Sequence, residues 1–97
     1  MHNKEEILKS LRTLKVDLKK RFKVKKIGLF GSYVNESQKK ESDIDILVEF
    51  EDGADLFDLS GLSIFLEEIF KQKVDIVSKN ALRSELKEII LDQVIYI

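Results

Sequence analysis

The stretch Gly31 to Asp45, GSYVNESQKKESDID, most constrains what this chain can fold into. It lies between two apolar runs, Ile27, Leu29 and Phe30 before it and Ile46, Leu47, Val48 and Phe50 after it. That order predicts strand, tight turn, short helix, strand. Glycine after a strand lets the backbone turn sharply and approach a ligand, and the amides at the start of the next helix then point at one spot that favours phosphate. Asp43 and Asp45 stand two apart at the expected start of the second strand. A period of two places both carboxylates on one face with Ile44 turned away. Two carboxylates beside a phosphate cradle call for a divalent cation of the Mg2+ type, which relieves their mutual repulsion and binds phosphate oxygens as well.

The remaining elements follow from periodicity. Ile7, Leu11, Leu14, Leu18 and Phe22 recur at helical spacing, predicting a helix from about Asn3 to Phe22 with Asn3 as N-cap, Glu5 and Glu6 in the first turn and Lys19, Lys20 and Arg21 at the end. Val24 to Phe30 is the first strand, Ser32 to about Ser37 a short helix, and Asp43 to Phe50 the second strand. Asp55 or Asp58 caps a helix over about Leu56 to Lys71. Its apolar residues, Leu56, Phe57, Leu59, Leu62, Phe65, Leu66, Ile69 and Phe70, cover more than one side, and a partner is one use for the excess.

Lys73 to Ser78 predicts a third strand in which Asp75 intrudes among Val74, Ile76 and Val77. An acid there costs free energy unless it is paired, liganded or turned to water on an edge strand. Leu82 to about Ile95 predicts a last helix, capped by Asn80, with Leu82, Leu86, Ile89, Ile90 and Val94 as a buried stripe. The apolar tail to Ile97 then packs on the core or joins an interface, a homo-oligomer included.

The fold class expected is α/β (α+β): one domain over 1–97, a small mixed β-sheet with helices packed on it. No apolar run approaches a membrane span and the N-terminus lacks the apolar core of a signal peptide, so a cytoplasmic protein is expected. Cysteine is absent, so a metal must be held by oxygen ligands or by the single His2, to which the sequence assigns no role. The net charge of −1 conceals a basic first half and an acidic second half. A basic helix without interleaved aromatics is a poor nucleic-acid module, and nucleic acid is not expected as a partner.

Gly31-Ser32, a short helix, then Ser42-Asp43-Ile44-Asp45 and an apolar strand resemble the signature of the polymerase-β-type nucleotidyltransferase superfamily. Over essentially the whole chain the pattern is similar to the minimal nucleotidyltransferase (MNT) family, whose members often serve as antitoxins paired with a helical HEPN-family partner. The resemblance implies the nucleotidyltransferase fold and transfer of a nucleoside monophosphate from an NTP, with ATP as donor and a Tyr of a HEPN toxin as acceptor. It assigns Gly31 and Ser32 to the nucleotide phosphates and Asp43, Asp45 and Asp75 to catalysis and to a two-metal Mg2+ site. Larger transferases carry a further helical domain, which this length does not accommodate, and a separate protein is expected to supply that surface.

One departure stands out. Family members commonly continue Gly-Ser with an Arg-Gly pair on the short helix, and here those positions are Asn35 and Glu36. Neither replaces the guanidinium fork. A binding protein that keeps the fold and covers its partner without catalysis is therefore the alternative expectation.

Overall fold

The computed structural model describes residues 2–39 and 42–97. In chain order these form α1 (Lys4–Phe22), β1 (Val24–Phe30), α2 (Ser32–Asn35), β2 (Ile44–Phe50), α3 (Leu56–Phe70), β3 (Val74–Ser78), a 3-10 turn (Lys79–Ala81), α4 (Ser84–Gln93) and β4 (Ile95–Tyr96). The strands make one mixed sheet in the order β3-β2-β1-β4. β2 runs antiparallel to β1 and parallel to β3, and β4 runs antiparallel to β1. The expected mixed sheet with helices packed on it is borne out.

Local chemistry explains the helix ends. Asn3 accepts a hydrogen bond from the Glu6 amide at 2.9 Å, and Lys23, in the left-handed region, donates its own amide to the Leu18 carbonyl to end α1. At α3 both expected caps act together. Asp55 Oδ1 accepts from the amides of Phe57 and Asp58, and Asp58 Oδ2 accepts from the Asp55 amide, a reciprocal capping box.

The core lies between one face of the sheet and the helices α1 and α3. Ile7, Leu11, Leu18 and Phe22 of α1 and Leu62, Leu66 and Phe70 of α3 are buried against Ile27 and Leu29 of β1 and Ile44, Ile46 and Val48 of β2. These strand residues alternate, so Asp45, Leu47 and Glu49 belong to the opposite face. His2, given no role above, is pinned to the end of α3. Its Nε2 donates to the Phe70 carbonyl at 2.6 Å and its ring meets the Phe70 ring edge-on.

As the excess of apolar residues on α3 implied, part of its arc is unpacked: Leu56, Phe57 and Ile64 are exposed, Phe57 at 86%, because one sheet face can cover only one side of a helix. One expectation needs correcting. The last helix is shorter than predicted and buries none of its residues. The predicted stripe fails, with Leu86 47% and Ile89 58% exposed. Asn80 falls in the 3-10 turn, and Arg83 is the N-cap without a side-chain bond. At Val94 the chain leaves the helix, and Ile95 and Tyr96 pair with Leu29 and Gly28. The tail is β-branched and aromatic, and the open edge of β1 offers unpaired amides and carbonyls, so a strand satisfies more backbone than another helical turn.

Smaller shifts of boundary bear on the site. α2 stops at Asn35, two residues short of the expected Ser37, and β2 starts at Ile44, so Asp43 stands just outside its strand.

Candidate active site

Gly31 follows directly on β1 with φ 78 and ψ −149, a backbone conformation essentially confined to glycine. Its carbonyl accepts from the amides of Val34 and Asn35, at 3.0 and 3.2 Å. Those bonds start α2 and leave the amides of Ser32 and Tyr33 outside the helix's own hydrogen bonding. Of the two residues assigned to phosphate, Ser32 therefore lies where expected, at the head of α2. The Gly31 amide is instead engaged by Gln93, whose Oε1 accepts from it at 3.1 Å. Gln93 precedes β4 and in effect adds a side-chain rung where the β1 and β4 ladder stops. Sequence reading missed it because nothing in an amide at the end of a helix signals a backbone contact 62 residues away.

The turn rests against the acidic pair. A side-chain carbon on Gly31 would lie 2.2 Å from Oδ2 of Asp45, so only glycine brings the turn this close to the carboxylate. Asp45 is the register partner of Phe30 on one side and of Asp75 on the other. Parallel in-register neighbours point to the same face, which brings Asp75 to the face of Asp45 although it comes from a different strand. Asp75 lies on the edge strand and is exposed, whereas Asp45 is half-buried. Asp43 lies 3.7 Å from Lys73 Nζ.

The electrostatics identify Asp45 as the focus. Its pKa is pushed up from 3.8 to about 6, first by burial, then by the charge of Asp75, then by that of Asp43. Two carboxylates that raise the proton affinity of a third between them form, by the same interaction, a set whose ionised form a cation favours. All are hard oxygen donors, the chemistry Mg2+ prefers. The fit is an open one: among the described residues no three His, Cys, Asp or Glu side chains are gathered closely enough to hold an ion between them.

Two further residues tie the site together. Tyr33, next to Ser32, is fully buried, and Gln72 Nε2 donates to its hydroxyl and to the Ser42 carbonyl. The position of the Arg-Gly pair also gains a conformational meaning. Glu36 caps α2 with φ 59 and donates its amide to the Ser32 carbonyl, a left-handed position that suits glycine. Its carboxylate lies 3.9 Å from Lys4 Nζ.

Comparison with known proteins gives the family to which this fold belongs. The family model described as nucleotidyltransferase domain matches residues 11–97. The chain is 41% identical over 93 residues to the protein adenylyltransferase MntA of Thermococcus cleftensis, covering 96% of this chain and 94% of that one. A Methanocaldococcus jannaschii protein, also named as a protein adenylyltransferase, is 40% identical over 98 residues and is matched over the full length of both. Among solved structures, one described as a minimal nucleotidyltransferase superposes with a TM-score of 0.82 at 34% identity, covering 97% of this chain and 96% of that one. A toxin-antitoxin complex crystallised with AMP-PNP gives a TM-score of 0.71 at 28% identity over 87% of this chain and 69% of that one. With a glycine turn set on a carboxylate cluster, a matching fold and relatives matched end to end, this chain belongs to the nucleotidyltransferase enzymes, in their minimal (MNT) family.

Proposed function

We propose that this protein transfers AMP from ATP to a hydroxyl of a partner protein in the cytoplasm, and that this modification neutralises the partner, a helical HEPN-family toxin modified on Tyr. The observation that carries the reading is the contact between the Gly31 turn and Asp45, with Asp75 in register beside it. It brings the backbone to which we assign phosphate binding beside acidic side chains, which supports nucleotidyl transfer. The relatives named as protein adenylyltransferases support the choice of reaction. The solved neighbour with AMP-PNP in a toxin-antitoxin complex supports the nucleotide and the kind of partner.

The reaction forms a bond between the acceptor oxygen and the α-phosphorus and breaks the bond from that phosphorus to the bridging oxygen, releasing pyrophosphate. Ser32, through its amide and hydroxyl, and the amide of Tyr33 bind the β- and γ-phosphates at the head of α2. Asp43, Asp45 and Asp75 would hold Mg2+, which when bound supplies charge neutralisation for the triphosphate and for the departing pyrophosphate. Asp75, exposed on the edge strand, takes the proton of the incoming hydroxyl, because it is the carboxylate that a protein acceptor can reach.

The alternative is neutralisation by binding alone. Glu36 favours it: beside a site that must receive a triphosphate it puts a negative charge where the family pattern has none. One experiment separates the two readings. α-labelled ATP and Mg2+ are supplied to this protein co-expressed with its helical partner, comparing wild type with Asp43→Asn/Asp45→Asn. Label on the partner that disappears in the double variant is the expected result. An unlabelled partner, inhibited equally by both proteins, gives the case to binding.

A further inference from the structure

Asp43 and Asp45 are held in different ways. β2 begins at Ile44, so the ladder that orders Asp45 does not include Asp43. The approach to Asp43 is held by two consecutive residues between α3 and β3. The Ile44 amide donates to the Lys73 carbonyl at 3.0 Å, Lys73 Nζ lies near the Asp43 carboxylate, and Gln72 Nε2 donates to the Ser42 carbonyl. The Lys73 ion pair is solvent-exposed and contributes little. Gln72 is half-buried and does more. A carboxamide nitrogen carries two hydrogens, and the second serves the hydroxyl of the fully buried Tyr33. One side chain thus joins α2, which follows the phosphate turn, to the residue before Asp43.

We infer that Gln72 is a positioning residue, which sets Asp43 relative to the Gly31 turn so that Asp43 and Asp45 present their carboxylates together to a cation. The inference rests on the reading of these carboxylates as metal ligands. Its distinctive consequence is that the bond to Ser42, not the bond to Tyr33, controls the site. Gln72→Glu keeps an oxygen for the Tyr33 hydroxyl and offers no donor to Ser42. Tyr33→Phe does the reverse.

The test is Mn2+ affinity, read from the free-ion electron paramagnetic resonance signal, in full-length protein checked for folding by circular dichroism. Gln72→Glu is expected to weaken Mn2+ binding about tenfold, the scale seen when groups that orient metal ligands are removed. Its added negative charge would by itself strengthen binding. Gln72→Met, which adds no charge, moves in the same direction, while Tyr33→Phe stays within about twofold. Amide exchange at Ile44, the residue after Asp43, whose amide donates to the Lys73 carbonyl, speeds up without metal in the Gln72 variants and not in Tyr33→Phe. Gln72 variants that match wild type in both measurements overturn the inference, as does Tyr33→Phe weakening Mn2+ as much as Gln72→Glu. If Asp43→Asn/Asp45→Asn binds Mn2+ like wild type, the metal-ligand reading fails instead, and the exchange measurement still decides whether Gln72 positions Asp43.

Discussion

A Cβ placed on Gly31 would sit 2.2 Å from Oδ2 and 2.9 Å from Cγ of Asp45, so the turn and the carboxylate occupy mutually exclusive space the moment the glycine gains a side chain. Two penalties combine in Gly31→Ala. One is the steric clash, the other the φ of 78 that alanine resists. Together they are expected to cost about 2 to 4 kcal/mol. Only the clash depends on Asp45. Urea unfolding of wild type, Gly31→Ala, Asp45→Ala and the double variant should therefore show a coupling of about 1 kcal/mol or more, with Asp45→Ala relieving part of the alanine penalty. Strictly additive free energies would mean that the turn yields by moving away from the strand.

The raised pKa of Asp45 makes a prediction of definite sign. Its carboxyl ionises near 3.8 when unconstrained and at about 6 in the folded protein, through burial first and the charges of Asp75 and Asp43 after it. Between about pH 4 and pH 6 the folded state holds the proton more often than the unfolded chain. Stability therefore falls as pH rises through this window and stays lower above it. Asp45 is only half-buried, so solvent screening reduces the effect to about 1 kcal/mol. The difference in stability between Asp45→Asn and wild type should accordingly shift in favour of the variant between pH 4 and pH 7.5. Mg2+ should raise the melting temperature of wild type at pH 7.5, have little effect at pH 4.5, and have none on Asp43→Asn/Asp45→Asn. Parallel pH profiles for variant and wild type would place Asp45 outside any carboxylate cluster.

Both predictions depend on features of unequal visibility in the sequence. The pair Asp43 and Asp45 and the turn at Gly31 are local, since their spacing is set by backbone geometry within fifteen residues. Asp75 was legible as an acid where a hydrophobic strand has no use for one. The core faces of α1, β1 and β2 were legible for the same reason, as their periods are 3.6 and 2. What escaped is contact between distant segments. Gln93 on Gly31 and Gln72 on Ser42 are amides, neutral and common, and their partners are backbone atoms that carry no sequence signature. The end of the chain misled for a different reason. Leu86, Ile89, Ile90 and Val94 have helical spacing, but periodicity cannot tell whether a surface exists to receive the stripe. The open edge of β1 claimed Ile95 and Tyr96, leaving Leu86 and Ile89 in solvent.

Glu36 is the position where departure from the family pattern has a measurable thermodynamic sign. It holds φ 59 at the end of α2, with its amide bonded to the Ser32 carbonyl. A side chain there costs about 1 to 2 kcal/mol relative to glycine, and glycine returns about 0.5 to 1 kcal/mol of that through the greater entropy of its unfolded chain. The ion pair to Lys4, at 3.9 Å with the glutamate largely exposed, offsets little. Glu36→Gly is therefore expected to stabilise the protein by about 0.5 to 1 kcal/mol, a rise of roughly 2 to 8 °C in melting temperature for a domain of this size. Glu36→Gln separates charge from conformation, because it removes the ion pair and keeps the Cβ. It should change stability by less than about 0.5 kcal/mol. If Glu36→Gly instead lowers the melting temperature and Glu36→Gln lowers it equally, the contact with Lys4 outweighs the backbone strain. The ion pair would then be what holds α2 against the start of α1.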